Sequence, residues 1–328
     1  MKRKFVLIFS LTAIISVLSG CGQLVSFLSS EPPYSSETVE EYYKNEEYDK
    51  ALEYIEERLE KYPDDASLHA EKGYILLNLD NATDALTALD YALEQEPELD
   101  AALNNKSWAL MELGRYEESL DFAKKALDVK PNDDIDYTNM GNALLNLERY
   151  SEAITYYEEA LDIKATSAYA LYGKGVAHYF LSEYDEAIEL LTKYDELEPD
   201  DLDALWYLMY INDDAGYLED ALHYSTRIVE LDGTEPYAYY YMGAILYDLE
   251  EDENALSVYD TMISLFPDDP LGYYGKSRVL VQMDEIKEAL ALLEQSVQLD
   301  ASYGDWAYSD WAFEALWEDD KFLEIIGY

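Results

Sequence analysis

Apolar residues along this chain recur with two nested periods. The short one is helical. In residues 66–79, ASLHAEKGYILLNL, Leu76, Leu77 and Leu79 share one face. In residues 82–96, ATDALTALDYALEQE, Leu86, Leu89 and Leu93 follow the same spacing. Polar Asp80 and Asn81 part the two stretches, which predicts two short helices joined by a turn. The long period is 34 residues. RYEESLDFAKKALDVKP at 115–131 becomes RYSEAITYYEEALDIKA at 149–165 and EYDEAIELLTKYDELEP at 183–199.

One small residue marks the register through the whole chain: Ala51, Ala85, Ser119, Ala153, Ala187, Ala221, Ala255 and Ala289, each 34 residues from the last. Twelve residues before each stand Val39, Gly73, Ser107, Gly141, Gly175, Met209, Gly243 and Ser277. Twelve after stand Pro63, Pro97, Pro131, Ala165, Pro199, Gly233, Pro267 and Ala301. Small residues are needed where two helix backbones approach closely. Neither helix of a unit buries its apolar face alone, so successive units must stack.

This pattern resembles the tetratricopeptide repeat (TPR), with Gly at position 8, Ala at 20, Pro at 32 and a large residue at 17. Position 17 is tyrosine at Tyr48, Tyr116, Tyr150 and Tyr184, with Ala82, Leu218, Asp252 and Ile286 as departures. Position 28 is aliphatic except for Asp195. The resemblance implies an all-α fold: a right-handed α-solenoid of about eight repeats over 37–301, whose first helices line a concave face. Unit six departs most, with Met209 for Gly, Gly233 for Pro and the polar run Asn212-Asp213-Asp214. It is read either as a joint or as local drift.

Both ends fit a stack. Pro32 and Pro33 shorten the first helix of unit one. Residues 302–328 begin like another first helix and form a C-terminal cap, in which Trp306, Phe313, Trp317, Phe322 and Ile326 are expected to cover the last unit.

The first residues are of another kind. Lys2, Arg3 and Lys4 precede an apolar run from Phe5 to Leu18, too short to span a bilayer comfortably but suited to a signal-peptide core. Leu18-Ser19-Gly20-Cys21 resembles the lipobox of bacterial lipoproteins. That resemblance implies lipid transfer to the Cys21 thiol and removal of 1–20. The other reading is an uncleaved anchor helix. Residues 21–36 read as a lipidated tether, rich in Ser and Pro toward its end. Gly22 follows the cysteine where an inner-membrane retention aspartate stands in some lipoproteins. The expected location is therefore lipid-anchored at the cell membrane or outer membrane, facing away from the cytoplasm.

Charge narrows the partners. The chain of 328 residues has a formal charge of −49. Nucleic acid is not expected, because binding it takes clustered Lys and Arg, and an anionic lipid face would be repelled, so membrane contact is expected through the anchor alone. The acids are read first as a solvated surface and second as a rim for basic partners. Cys21 is the single cysteine, so no intramolecular disulfide forms.

No catalytic constellation emerges. His69, His178 and His223 have no His or Cys at ligand spacing, and phosphate loops and nucleophile elbows are missing. The chain is read as not an enzyme, with no metal and no cofactor. His178, at position 11, is read as a packed histidine.

The TPR resemblance places the concave face at positions 2, 5, 9 and 12. In units five to eight, nine of those sixteen positions are aromatic: Tyr169, Tyr172, Tyr179, Trp206, Tyr210, Tyr237, Tyr240, Tyr247 and Tyr274. A chain with 14% aromatic residues would place about two there. Units two to four contribute only Tyr74 and Trp108. The asparagines Asn104, Asn139 and Asn142 lie near this face without the basic partners that a carboxylate clamp needs. The expected function is a lipid-anchored envelope scaffold that holds a peptide or helix of a partner protein, basic with apolar anchors, in a tyrosine-walled groove. The alternative is a surface lipoprotein whose tyrosine faces bind a glycan or another small ligand.

Overall fold

The computed structural model describes residues 36–328. The signal peptide, Cys21 and all of the tether but its last residue lie outside the described residues. Every regular element among the described residues is helical. The chain forms two compact units, one ending at Gly173 and one running Lys174–Tyr328.

Helices come in pairs at the expected period. In the first unit these are α1 (Ser36–Lys44) with α2 (Tyr48–Lys61), α3 (Ala66–Asn78) with α4 (Ala82–Gln95), α5 (Asp100–Glu112) with α6 (Tyr116–Val129), and α7 (Asp134–Asn146) with α8 (Tyr150–Ile163). Helix α9 (Ala168–Phe180) contains the unit boundary. The second unit continues with α10 (Tyr184–Leu197), α11 (Leu202–Asp214), α12 (Leu218–Leu231), α13 (Pro236–Asp248), α14 (Asp252–Leu265), α15 (Pro270–Gln282) and α16 (Ile286–Leu299).

The turns follow one design. The second residue after each first helix from α3 onward closes a left-handed turn: Asp80, Gly114, Glu148, Ser182, Gly216, Glu250 and Asp284 all have positive φ. The next N–H then reaches back five residues, as in Asn81 N to Leu76 O at 2.8 Å and Arg115 N to Leu110 O at 2.8 Å. Five first helices are capped by carboxylates at their N-termini: Asp65, Asp133, Asp201, Glu235 and Asp269 each accept from a backbone N–H two or three residues on, whereas α5 follows Leu99 without such a cap. Second helices from α6 onward lack such caps. Those after α5 and α7 instead carry an Arg115–Glu118 or Arg149–Glu152 pair at 2.7 Å. Second helices end at the same position whether Pro or not follows, since α8, α12 and α16 precede Ala165, Gly233 and Ala301.

The small-residue notches are where the pairs close. Ala51, Ala85, Ala153, Ala187, Ala221, Ala255 and Ala289 are fully buried. A Cβ on Gly73 would stand 2.5 Å from Leu89, and one on Gly243 would stand 2.6 Å from Tyr259. In the α5–α6 pair both notch residues are serines, and they satisfy each other. Ser107 Oγ donates to Ser119 O at 2.9 Å, and Ser119 Oγ donates to Ser107 O at 2.8 Å.

Two tyrosines extend the principle between units of the repeat. Tyr157 of α8 lies between Gly141 of its own repeat and Gly173 of the next, and Tyr259 of α14 lies between Gly243 and Gly275 in the same way. Where the residue at that second-helix position is small, as at Ser225, the glycine's place in the next first helix is taken by a large one, Tyr241.

The C-terminal region departs from the single capping helix expected. It folds as α17 (Ser302–Ser309), a 3-10 turn (Trp311–Leu316) and α18 (Asp320–Ile326). Phe313, Leu316, Phe322 and Ile326 join the core of the last repeats, as anticipated for three of them. Trp317 is only part-buried against this core. Trp306 does not cover the stack: it is 47% exposed, and Trp311 is 73% exposed.

Candidate functional site

The tyrosine-rich positions distribute unevenly. Tyr169 and Tyr172 are half-buried on the part of α9 that belongs to the first unit. Tyr179, Trp206, Tyr210, Tyr237, Tyr240, Tyr247 and Tyr274 belong to the second.

Within the second unit, helical spacing brings Trp206 and Tyr210 into register on α11, four residues apart, and their rings stack at 5.6 Å. Tyr241 of α13 turns its edge to both, 5.9 Å from Trp206 and 5.1 Å from Tyr210. Tyr240 meets Tyr241 at 5.7 Å and the buried Tyr259 at 6.3 Å. All four of these face residues keep part of their surface open. Tyr237, at the start of α13, is 51% exposed. Tyr241 was not among the positions expected from sequence, because it sits one residue past the column containing Tyr240. Its signal was available: Ser225 is too small to fill the space that Leu191 or Tyr259 fills in neighbouring repeats.

Carboxylates adjoin the aromatic cluster. Asp213 and Asp214 follow Tyr210 on α11, and Asp248 ends α13. Partial burial raises the carboxyl of Asp213, and the charges of Asp248 and Asp214 raise it further. Burial likewise raises Asp248. Tyr179 donates to Asp214 Oδ2 at 3.1 Å, and burial and that carboxylate together push its phenol up to about 12.

Tyr274 must be removed from the candidate wall. It is only 3% exposed, because the C-terminal region closes over it. Its hydroxyl donates to Asp310 Oδ2 at 2.7 Å, and its ring meets Tyr303, Trp306 and Phe313 within about 6 Å. Arg278 completes this join. Its Nε lies 2.9 Å from Asp310 Oδ2, and its guanidinium covers the Tyr247 ring at 4.9 Å. The 34-residue column that holds Trp206, Tyr240 and Tyr274 continues to Tyr308, which stacks on Tyr328 at 4.5 Å.

The first unit presents a different chemistry. Asn104, Asn139 and Asn142 point their amides into the protein: Asn139 donates to Asn104, Asn104 to Asp136, and Asn142 accepts from Tyr157. Lys106 of α5 pairs with Asp90 of α4 and lies over Phe122 of α6, bridging two repeats. Trp108 is buried against Tyr74. His178 is part-buried with its Nδ1 2.6 Å from Glu183 Oε2, and His69 packs on Tyr91 at 4.2 Å. Among the described residues no group of His, Cys, Asp and Glu is arranged to hold a metal ion, and no helix is long and apolar enough to cross a membrane.

Comparison with known proteins agrees with this architecture. A family model described as tetratricopeptide repeat matches residues 37–95, 71–134 and 138–208, and two further models of the same description match 237–269 and 272–303. The chain belongs to the tetratricopeptide repeat family, whose members are generally non-catalytic modules for protein interaction. Its solved structural relatives include PilW, described as a widely conserved type IV pilus biogenesis factor. PilW has a TM-score of 0.56 and 19% identity over 62% of this chain and 94% of that one. The Pseudomonas aeruginosa pilF protein has a TM-score of 0.52 and 18% identity over 61% and 90%. YrrB, described as a TPR protein with an unusual peptide-binding site, has a TM-score of 0.49 and 23% identity over 54% and 92%. At these identities the likeness is one of fold. No curated protein matches the sequence.

Proposed function

We propose that the protein is a lipid-anchored scaffold of the cell envelope, and that the first-helix face of its second unit holds a segment of a partner protein. The observation that supports this best is the half-open cluster of Trp206, Tyr210 and Tyr241 beside the carboxylates Asp213 and Asp248. Flat rings with polar edges receive apolar anchors, and the adjoining acids favour Lys or Arg on the same segment. Removal of Tyr274 from the wall leaves this cluster as its centre. The anchor is the thiol of Cys21, which takes a diacylglyceryl group before residues 1–20 are removed. One acyl chain holds a protein only marginally, so two or more are needed to keep it at the membrane.

The test uses the full chain in detergent, with labelled peptides that alternate basic residues with Leu or Phe, and wall glycans as the second arm. Peptide binding should weaken at least tenfold with Trp206→Ala and fall as salt rises from 50 to 500 mM, of the order expected when charges are screened. Peptide binding indifferent to both changes would reject the reading, and saturable glycan binding lost in Trp206→Ala would replace it. For the anchor, Cys21→Ser should release the protein from membranes and abolish incorporation of labelled palmitate.

A further inference from the structure

The first unit contains two carboxyl oxygens that its caps and ion pairs leave unanswered. Asp136, in the first turn of α7, is 1% exposed. Its Oδ1 accepts from Asn104 Nδ2 at 2.6 Å, and Asn104 Oδ1 accepts from Asn139 Nδ2 at 2.8 Å. Its Oδ2 is buried without a hydrogen-bond partner, and so is Oδ1 of Asp100, the first residue of α5. An ionised carboxylate oxygen buried without a donor is costly, and two near each other repel. Asp100 stands one helical turn before Asn104, whose amide holds Asp136, and a proton on the pair removes the repulsion between the two.

We propose that Asp136 and Asp100 form a proton-binding pair that joins α5 to α7 and holds one proton at neutral pH. The surrounding charges favour this. Lys130 pairs with Asp133 at 2.5 Å and lies 3.7 Å from Asp100 Oδ2, so this one cation serves two other carboxylates. Asp133 is also spent on capping α7. Asp134, on the same helix, is held by Ser167 at 3.3 Å and lies 3.9 Å from Lys164. Burial first, then the charges of Asp100 and Asp133, push the Asp136 carboxyl up to about 8, against the weaker pull of Asn104 and Lys130.

The direction of the pH effect follows. An acid whose folded-state pKa lies above its unfolded value stabilises the fold through its protonated form. That stability is complete below the unfolded value of 3.8, declines as pH rises, and is gone once pH passes about 8. Within that window the folded chain carries one more proton than the unfolded chain, so the folding constant of this region falls roughly tenfold per pH unit. Asn104 donates to Asp136 in either state, so what loosens the contact between these two first helices on proton loss is the restored repulsion between Asp136 and Asp100.

The experiment follows aspartate carboxyl carbons by NMR in the full chain in detergent. Amide exchange in α5 and α7 is measured in parallel, from pH 5 to 9.5. The Asp136 carboxyl should titrate near 8, and exchange in both helices should speed roughly tenfold per pH unit beyond the trend of α3 up to that point. Asp136→Asn should remove this excess slope while keeping the helices protected. Asp100→Asn, which offers an amide donor to Asp136, should lower the Asp136 midpoint by at least one unit. A carboxyl that titrates near 4 in the unsubstituted chain would overturn the proposal without any variant. So would a midpoint moved by calcium and restored by EDTA, which makes the pair a cation site instead.

Discussion

Gly275→Ala places one methyl group where the fold has no room. Its Cβ would stand 2.3 Å from Tyr259 Cε1 and 2.4 Å from Cζ. The ring cannot retreat, because Gly243 closes its other side, where a Cβ would already stand 2.6 Å from Cζ. The ring is fully buried, and its hydroxyl donates to Tyr240 O at 3.3 Å. Overpacking of this kind costs about 1–3 kcal/mol, while Ala in place of Gly in a helix interior returns up to about 1 kcal/mol. Because both walls of the socket are backbone, the upper part of that cost applies, for a net loss of about 2 kcal/mol. Gly272→Ala in the same helix is the control. Its Cβ meets Ile263 Cγ1 at 3.0 Å and Met262 Cγ at 3.3 Å, flexible side chains that can turn aside, so its loss should stay below about 1 kcal/mol. Urea unfolding followed by tryptophan emission reports on this region, since Trp206, Trp306, Trp311 and Trp317 all lie in the second unit. Tyr259→Leu supplies the residue found at this position in Leu89, Leu191 and Leu293. Combined with Gly275→Ala, it should recover more than about 1 kcal/mol relative to the sum of the single changes. Additive losses, or a Gly275→Ala protein as stable as the original, would refute the two-glycine socket.

Three further outcomes are expected. Glu250 closes its turn at φ 60°, so Glu250→Gly should raise stability by about 1 kcal/mol, read as a shift in the urea midpoint, whereas Gly216→Ala at φ 79° should lower it by a similar amount. Ser107→Ala should cost about 1 kcal/mol by removing the hydroxyl that bonds Ser119 O and Oγ, while Ser119 Oγ keeps Ser107 O, and Ser107→Ala with Ser119→Ala should cost less than the two separately, measured in a double-mutant cycle. Tyr274→Phe removes a hydroxyl from Asp310 beside Arg278, and should loosen the C-terminal region by about 1–2 kcal/mol, seen as faster amide exchange in α17 and α18 with α11 unchanged.

The candidate site was partly legible in sequence. The 34-residue columns located Trp206, Tyr210 and Tyr240 on first helices, because position in a repeat determines which helix and which side a residue occupies. They misplaced Tyr274, since a column assumes that every repeat has the same neighbour, and the last one has the irregular C-terminal region instead. They missed Tyr241, whose place depends on Ser225 across the helix junction, and Tyr308, which lies beyond the last complete repeat.

Period, helix pairing, notch residues and turn positions were written in the chain itself. They rest on contacts between residues at constant separation, which local sterics and one repeated register specify. What only the tertiary structure decided rests on distant neighbours. Tyr157 and Tyr259 required paired glycines from two successive repeats. The carboxyl oxygens of Asp100 and Asp136 became partnerless only when α5 and α7 stacked. Burial and charge at such points are set by every group that packs around them, and no count along the chain contains that sum.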